Sequence, residues 1–244
     1  MKSLKNYALC VMANHNVMDF TAELLSSIRD NSIEYKHIYF GDVGFTEDDK
    51  KALKGYGLDI TFIDLEYKFT STGSKTQSPE YRKIIAQRPQ FLQTVASMGN
   101  NSLVSLDADT AVISNDFTLL NTSKDITLTV REAGPDIHVL PIFEVDYPNC
   151  GVIFYHNMKN CEKFFERWEW CMKNVEEHEL TFEQWYFYSA MQFEEFQELD
   201  VQKLHCRYYN CYDINWKNKA TSILHYKSYD AKRDTFETRV ARLK

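Results

Sequence analysis

The sequence predicts an α/β fold in one domain: a mixed, mostly parallel central sheet flanked by helices. Three observations lead there. The first 66 residues run strand, helix, strand, helix, strand, an order that builds parallel sheets through right-handed crossovers. The opening strand, YALCVMA (7–13), is continuously apolar, as a strand buried on both faces is. The 244 residues show no internal repeat, low-complexity tract or linker, so a single unit spans 1–244.

After YALCVMA the chain turns polar at Asn14-His15-Asn16. DFTAELLSSIRDN follows, with Phe20, Leu24, Leu25 and Ile28 at helical spacing and Asp19 as the expected cap. HIYFGD (37–42) is a second strand. TEDDKKALKGYG (46–57) is a short helix with Thr46 as N-cap, acids in its first turn and glycines at its end. DITFIDLE (59–66) is a third strand, and the Ser- and Thr-rich 67–78 is a long loop. The stretch 79–99 is helical, with Pro89 starting a second helix. SLVSLDAD and AVIS are strands, as are DITLTVRE (125–132) and NCGVIFYHN (149–157), with a proline-rich loop over 134–148. KNCEKFFERWEWCMKNV (159–175) carries Phe164, Trp168, Cys171, Met172 and Val175 on one helical face, and 181–193 is a helix capped by Thr181. QKLHCRYYNC and SILHYKS are late strands or extended segments, and the basic tail KRDTFETRVARLK is a solvated surface.

Composition narrows the class. The net charge of −7 lacks the basic footprint of a nucleic-acid binder. No stretch approaches the roughly 20 apolar residues of a membrane span, and the N-terminus has no signal-peptide pattern. The six cysteines (10, 150, 161, 171, 206 and 211) show no C-x₂-C spacing and read as buried thiols. A soluble protein of a reducing compartment, the cytoplasm, is expected.

Ligands of parallel sheets sit beyond the carboxyl ends of the strands. Here those ends carry Asn14 to Asn16, Asp42, and Asp64 with Glu66. A further strand end reads LVSLDADTAVI (103–113). A lone aspartate there would be a turn cap. Two, at 107 and 109, share one side of a regular strand, and their repulsion calls for an offset. A divalent cation, Mn²⁺ or Mg²⁺, supplies it and can in turn hold a diphosphate.

An apolar strand, LDADT and another apolar run resemble the GT-A glycosyltransferases, especially family 8, the glycogenin and lipopolysaccharide galactosyltransferase group. The resemblance continues through Asn149-Cys150-Gly151-Val152, Glu183-Gln184, and Ile223-Leu224-His225 with Lys227 and Lys232 beyond. It implies that Asp107 meets the donor's ribose and the metal, that Asp109 binds the metal, and that His225 is the third ligand. It implies a basic residue before the D-x-D that reaches the phosphates: Arg88, with Arg82 and Lys83 as rivals. Ala13, Asn14 and Asp42 would meet the nucleotide, and Asn149 and Gly151 the donor sugar. Glu183 would be the general base of an inverting reaction; Gln184 would lie at the reactive carbon of a retaining one. The implied activity is transfer of a sugar from a nucleotide diphosphate sugar, a UDP-sugar, to a carbohydrate, glycan or protein acceptor. Residues 1–110 would form the nucleotide-binding half and 111–244 the acceptor and donor-sugar half.

The pattern departs from the family at Cys150, at Glu183 and at Ala231, where the family has a lysine; Lys227, Lys232 or Arg233 would substitute. Plainer readings stand beside the sharp ones: Asp42 a turn cap, His225 a satisfied core histidine, Arg88 a helix-start residue, Glu183 an ordinary first-turn acid. Three other functions compete. A haloacid-dehalogenase-type phosphatase also uses a strand and D-x-D, but near the N-terminus. A sugar-nucleotidyltransferase would need a glycine-rich loop after the first strand, where NHNVMD has none. A nucleotide-sugar-binding protein without turnover would tolerate the altered C-terminal motif.

Overall fold

The computed structural model describes residues 3–69, 79–131, 147–174, 182–211 and 219–225. β1 (Leu4–Ala13), β2 (Tyr35–Asp42), β3 (Ile60–Asp64) and β4 (Leu103–Leu106) are parallel neighbours in the order 3-2-1-4. Three further strands, β6 (Ile126–Arg131), β7 (Tyr147–Tyr155) and β8 (Val201–His205), complete a seven-stranded sheet ordered 3-2-1-4-7-6-8. β7 runs antiparallel to both β4 and β6, and β8 parallel to β6. A second, two-stranded sheet pairs β5 (Thr110–Val112) with β9 (Ile223–His225) antiparallel.

Helices cover both faces. On β1, Tyr7, Leu9, Val11 and Ala13 face one core and Ala8, Cys10 and Met12 the other, the alternation of a pleated strand. The first core takes α1 (Met18–Asp30), through Leu24, Leu25 and Ile28, and Leu53 of α2 (Glu47–Lys54). The second takes α3 (Pro79–Ile85), α4 (Arg88–Ser97), α5 (Met158–Asn174) and α6 (Phe182–Ala190), with Phe164, Phe165 and Trp168 fully buried. The short α7 (Glu194–Gln197) and α8 (Cys206–Tyr209) flank β8. Among the described residues no helix is long and apolar enough to cross a membrane. All six cysteines are buried free thiols, as expected.

The expected local signals are present at α2 and α4. Thr46 and Asp49 form a reciprocal capping box on α2, and Pro89 stands in the first turn of α4.

Four expectations are corrected. Asp19 does not cap α1 but lies inside its first turn: a single 3₁₀ turn (His15–Val17) precedes the helix, and that turn is capped by Asn14, which accepts from the Asn16 N–H at 3.0 Å. Residues 206–209 curl into α8 rather than extending, because His205 Nδ1 accepts from the Arg207 N–H and Tyr209 stacks on Phe117 in the core. β7 starts at Tyr147, inside the expected loop. Pro148 is tolerated beside a register irregularity opposite Leu128 and Val130, where the ladder is already broken. The two aspartates sit in a turn after β4, not on the strand itself. Most of the expected 67–78 loop, most of the 134–148 loop, Val175, Thr181, Lys227, Lys232 and the tail fall outside the described residues.

Candidate active site

Two strand pairings assemble the site. β7 runs against β4 with Val152 opposite Leu106, so the start of β7 lies beside the end of β4. The Asp107 N–H donates to the Gly151 carbonyl at 2.9 Å. The Thr110 hydroxyl then closes the turn onto the Asp107 carbonyl at 2.8 Å. β9 pairs with β5 so that His225 stands opposite Thr110. Residues 44 and 118 positions along from Asp107 thereby meet its side chain.

The His225 imidazole is almost wholly buried. Its Nε2 lies 3.1 Å from Asp109 Oδ1 and 3.6 Å from Asp107 Oδ2. One ligand atom from each of the three residues falls within 4.8 Å of the others. His225 Nδ1 is 2.7 Å from Asn210 Oδ1. An Nδ1–H donated there leaves a lone pair on Nε2, facing two carboxylates. Two carboxylates and an imidazole converging in this way suit a divalent cation.

Gly151 makes this geometry possible. A Cβ there would lie 2.2 Å from His225 Cε1, 2.5 Å from Nδ1 and 3.0 Å from Asp107 Oδ2. A residue without a side chain lets the backbone pass this close to the His225 ring and the Asp107 carboxylate.

Arg88 is buried at the start of α4 and donates to Asp107 Oδ1 at 2.9 Å and to the Cys150 carbonyl at 3.4 Å. Of its rivals, Lys83 is exposed over the Tyr67 ring, and Arg82 is half-buried but not among the cleft-lining residues. Gln87 fastens the chain before the cleft by a paired exchange with the Tyr67 backbone, both contacts at 2.9 Å.

A cleft of about 420 Å³ opens beside the aspartates. Ala13 and Asn14 line it from the end of β1, Phe69 and Tyr81 supply aromatic walls, and Arg88 stands at the boundary with Asp107 and Asp109. Asp42 is elsewhere occupied. Its Oδ1 accepts the N–H groups of Gly44 and Phe45 at 2.8 and 2.9 Å, and its Oδ2 pairs with Lys50 at 2.9 Å. Burial opposes its charge, but Lys50, the two N–H groups and Lys68 outweigh it and hold its carboxyl below the ordinary range. Asn149 is buried, and its Oδ1 accepts from the Gly151 N–H at 3.1 Å. Gln184, half-buried in the first turn of α6, has a buried Oε1 with no hydrogen-bond partner among the described residues. Glu183 lies in the same turn, while Lys227 and Lys232 are outside the described residues.

Asn210, Thr129 and the aromatic walls were not singled out from the sequence. Tyr81 and Ile85 are four residues apart on α3, a visible helical face, whereas nothing in RYYNC distinguishes Asn210.

Residues 47–235 match the family model described as nucleotide-diphospho-sugar transferase. The chain belongs to this family. It is therefore a glycosyltransferase, and the phosphatase alternative falls away. No curated protein matches at the level of sequence. Among solved structures, an active-site mutant of LgtC superposes with a TM-score of 0.63 at 14% identity, over 97% of this chain and 94% of that one. The glycosyltransferase GlyE of Streptococcus pneumoniae gives 0.61 at 15% identity, over 97% of this chain and 57% of that one. Mouse xyloside xylosyltransferase 1 gives 0.57 at 13% identity, over 91% and 98%. These likenesses establish the GT-A fold that the sequence resemblance implied.

Proposed function

We propose that this transferase takes a UDP-sugar as donor and requires Mn²⁺ or Mg²⁺, held by Asp107, Asp109 and His225. The observation that carries the reading is the convergence of the His225 imidazole with the carboxylates of Asp107 and Asp109, both of which line the cleft. When bound there, the cation supplies Lewis-acid stabilisation of the departing diphosphate. Asp107 links the cleft to the cluster, and the Arg88 guanidinium beside it adds positive charge where the diphosphate would lie. Ala13, Asn14 and the aromatic walls would receive the base. Every described residue lining the cleft precedes position 110, which supports 1–110 as the nucleotide-binding half and 111–244 as the acceptor and donor-sugar half.

Asn149 and Gln184 would meet the donor sugar. Asn149 Nδ2 and Gln184 Oε1 are buried with no hydrogen-bond partner among the described residues, and sugar hydroxyls could satisfy both. Glu183 stays the candidate base for an inverting reaction, and Lys227 and Lys232 the candidates for a second diphosphate contact. LgtC, a galactosyltransferase, has been solved in complex with donor and acceptor sugar analogues, which supports a donor-plus-acceptor reaction on this fold. The acceptor would be a carbohydrate, glycan or protein. The buried free thiols suit a reducing compartment such as the cytoplasm.

The test is a thermal-shift panel of UDP-, GDP-, ADP- and CDP-sugars, each with and without Mn²⁺, since a ligand of the native state raises the melting temperature by mass action. A Mn²⁺-dependent rise with UDP-sugars that vanishes in folded Asp109→Ala is expected. A metal-independent rise, or one unaffected by Asp109→Ala, would refute the metal role. Release of UDP from the bound donor separates a working transferase from a protein that only binds.

A further inference from the structure

We infer that Asn210 is a positioning residue, part of a relay that sets the tautomer of His225; the inference extends the metal reading above. The relay can be followed proton by proton. Thr129, fully buried on β6, has its Oγ1 3.1 Å from the Val152 carbonyl and 3.3 Å from the Asn149 carbonyl. Carbonyls only accept, so either can take the Thr129 proton, and the hydroxyl oxygen can then accept from Asn210 Nδ2, 2.7 Å away.

The Asn149 carbonyl, a pure acceptor, orients the Asn210 amide. Nδ2 faces Thr129 and, at 3.4 Å, the Asn149 carbonyl. Flipping the amide would set Oδ1 against that carbonyl with no hydrogen between them. Oδ1 therefore points at His225 Nδ1, at 2.7 Å, and an amide oxygen there requires Nδ1–H. The neutral ring consequently carries its lone pair on Nε2, toward Asp107 and Asp109.

The backbone holds both partners in place. The Cys211 N–H donates to the Ile223 carbonyl at 3.0 Å, and the His225 N–H to the Cys211 carbonyl at 2.9 Å. Asn210 and Thr129 are wholly inaccessible and His225 nearly so, and the contacts to Thr129, the Asn149 carbonyl and His225 satisfy the Asn210 side chain. A buried core asparagine would have no need of this hand. The Nε2–H tautomer would put a proton where a cation must go, and Asn210 prevents it.

The experiment reads the tautomer directly, in metal-free ¹⁵N-labelled protein at about pH 8, above the ordinary imidazole range. Long-range ¹H–¹⁵N spectra should show His225 with Nδ1–H and a bare Nε2. Asn210→Leu should shift the ring toward Nε2–H and weaken Mn²⁺ binding by calorimetry about 10–100-fold. Asn210→Asp keeps an acceptor for Nδ1–H, and Thr129 can turn its proton to the new carboxylate, so it should keep the wild-type tautomer.

A wild-type Nε2–H signal overturns the inference, whether or not either variant folds. So does a folded Asn210→Leu with wild-type tautomer and Mn²⁺ affinity. Wild-type Nδ1–H without any Mn²⁺ binding would refute the metal reading and leave the relay standing.

Discussion

Replacing Gly151 by alanine tests whether this glycine makes room for the histidine. The new Cβ would stand 2.2 Å from His225 Cε1, and contact becomes ordinary only at about 3.4 Å, so the ring must withdraw by roughly 1 Å. It has little freedom to do so. Nδ1 is bonded to Asn210 at 2.7 Å, and β9 is paired along its length with β5. Overpacking of this kind costs about 1–3 kcal/mol. Breaking the Asn210 contact adds the cost of buried groups left unpaired, about 1–3 kcal/mol. Metal sites tolerate only about 0.2 Å in ligand distance, so the displacement removes His225 from the set, and Mn²⁺ affinity should fall at least about tenfold. Urea unfolding and calorimetry measure the two losses. The same alanine in a His225→Ala background meets no ring and should cost less than about 1 kcal/mol, the residue of its contact with Asp107 at 3.0 Å. Full cost in both backgrounds, or a Gly151→Ala protein that binds Mn²⁺ like wild type, would refute the reasoning.

Other expectations follow from the same contacts. Arg88→Met removes a buried charge-assisted bond to Asp107 and should destabilise by about 1.5–3 kcal/mol and weaken donor binding; an unchanged urea midpoint would count against the pair. Asp42 has a depressed carboxyl in the native state, so its contribution to stability is present above the unfolded value, about pH 4, and is lost as pH falls through the lower native value. Asp42→Asn should therefore flatten the acid limb of stability against pH, and an unaltered limb would disprove the assignment. Thr46→Ala, which opens the capping box, should cost about 1 kcal/mol by urea unfolding. Cys10 and Cys161 are buried, and burial pushes both thiols up, so a thiol reagent should label them only on unfolding; prompt labelling of the native protein would contradict their burial.

The expected strands and helices of 3–66 are where local pattern and final structure agree best. An apolar run such as 7–13 can be satisfied only by burial on both faces, and the capping box at Thr46 and Asp49 closes within four residues. Asp19 was misjudged because a 3₁₀ turn inserts before α1, and residues 206–209 because the pull of Tyr209 into the core outweighs their extended look. Asp42 shows the limit at the level of a site. Its strand-end position is visible in the chain, but its commitment to Lys50 and a turn depends on where α2 packs.

The sequence by itself determined the α/β alternation, the family and the D-x-D pair, because each is written in contiguous residues or in motifs whose order survives any spacing. Only the tertiary structure decided that Asp107, Asp109 and His225 share one point, that Gly151 is the gap admitting the ring, and that Asn210 lies between that ring and Thr129. Those facts depend on the antiparallel return of β7 beside β4 and on the β5–β9 pairing. Contacts between residues so far apart in the chain arise from strand register, which no local pattern specifies.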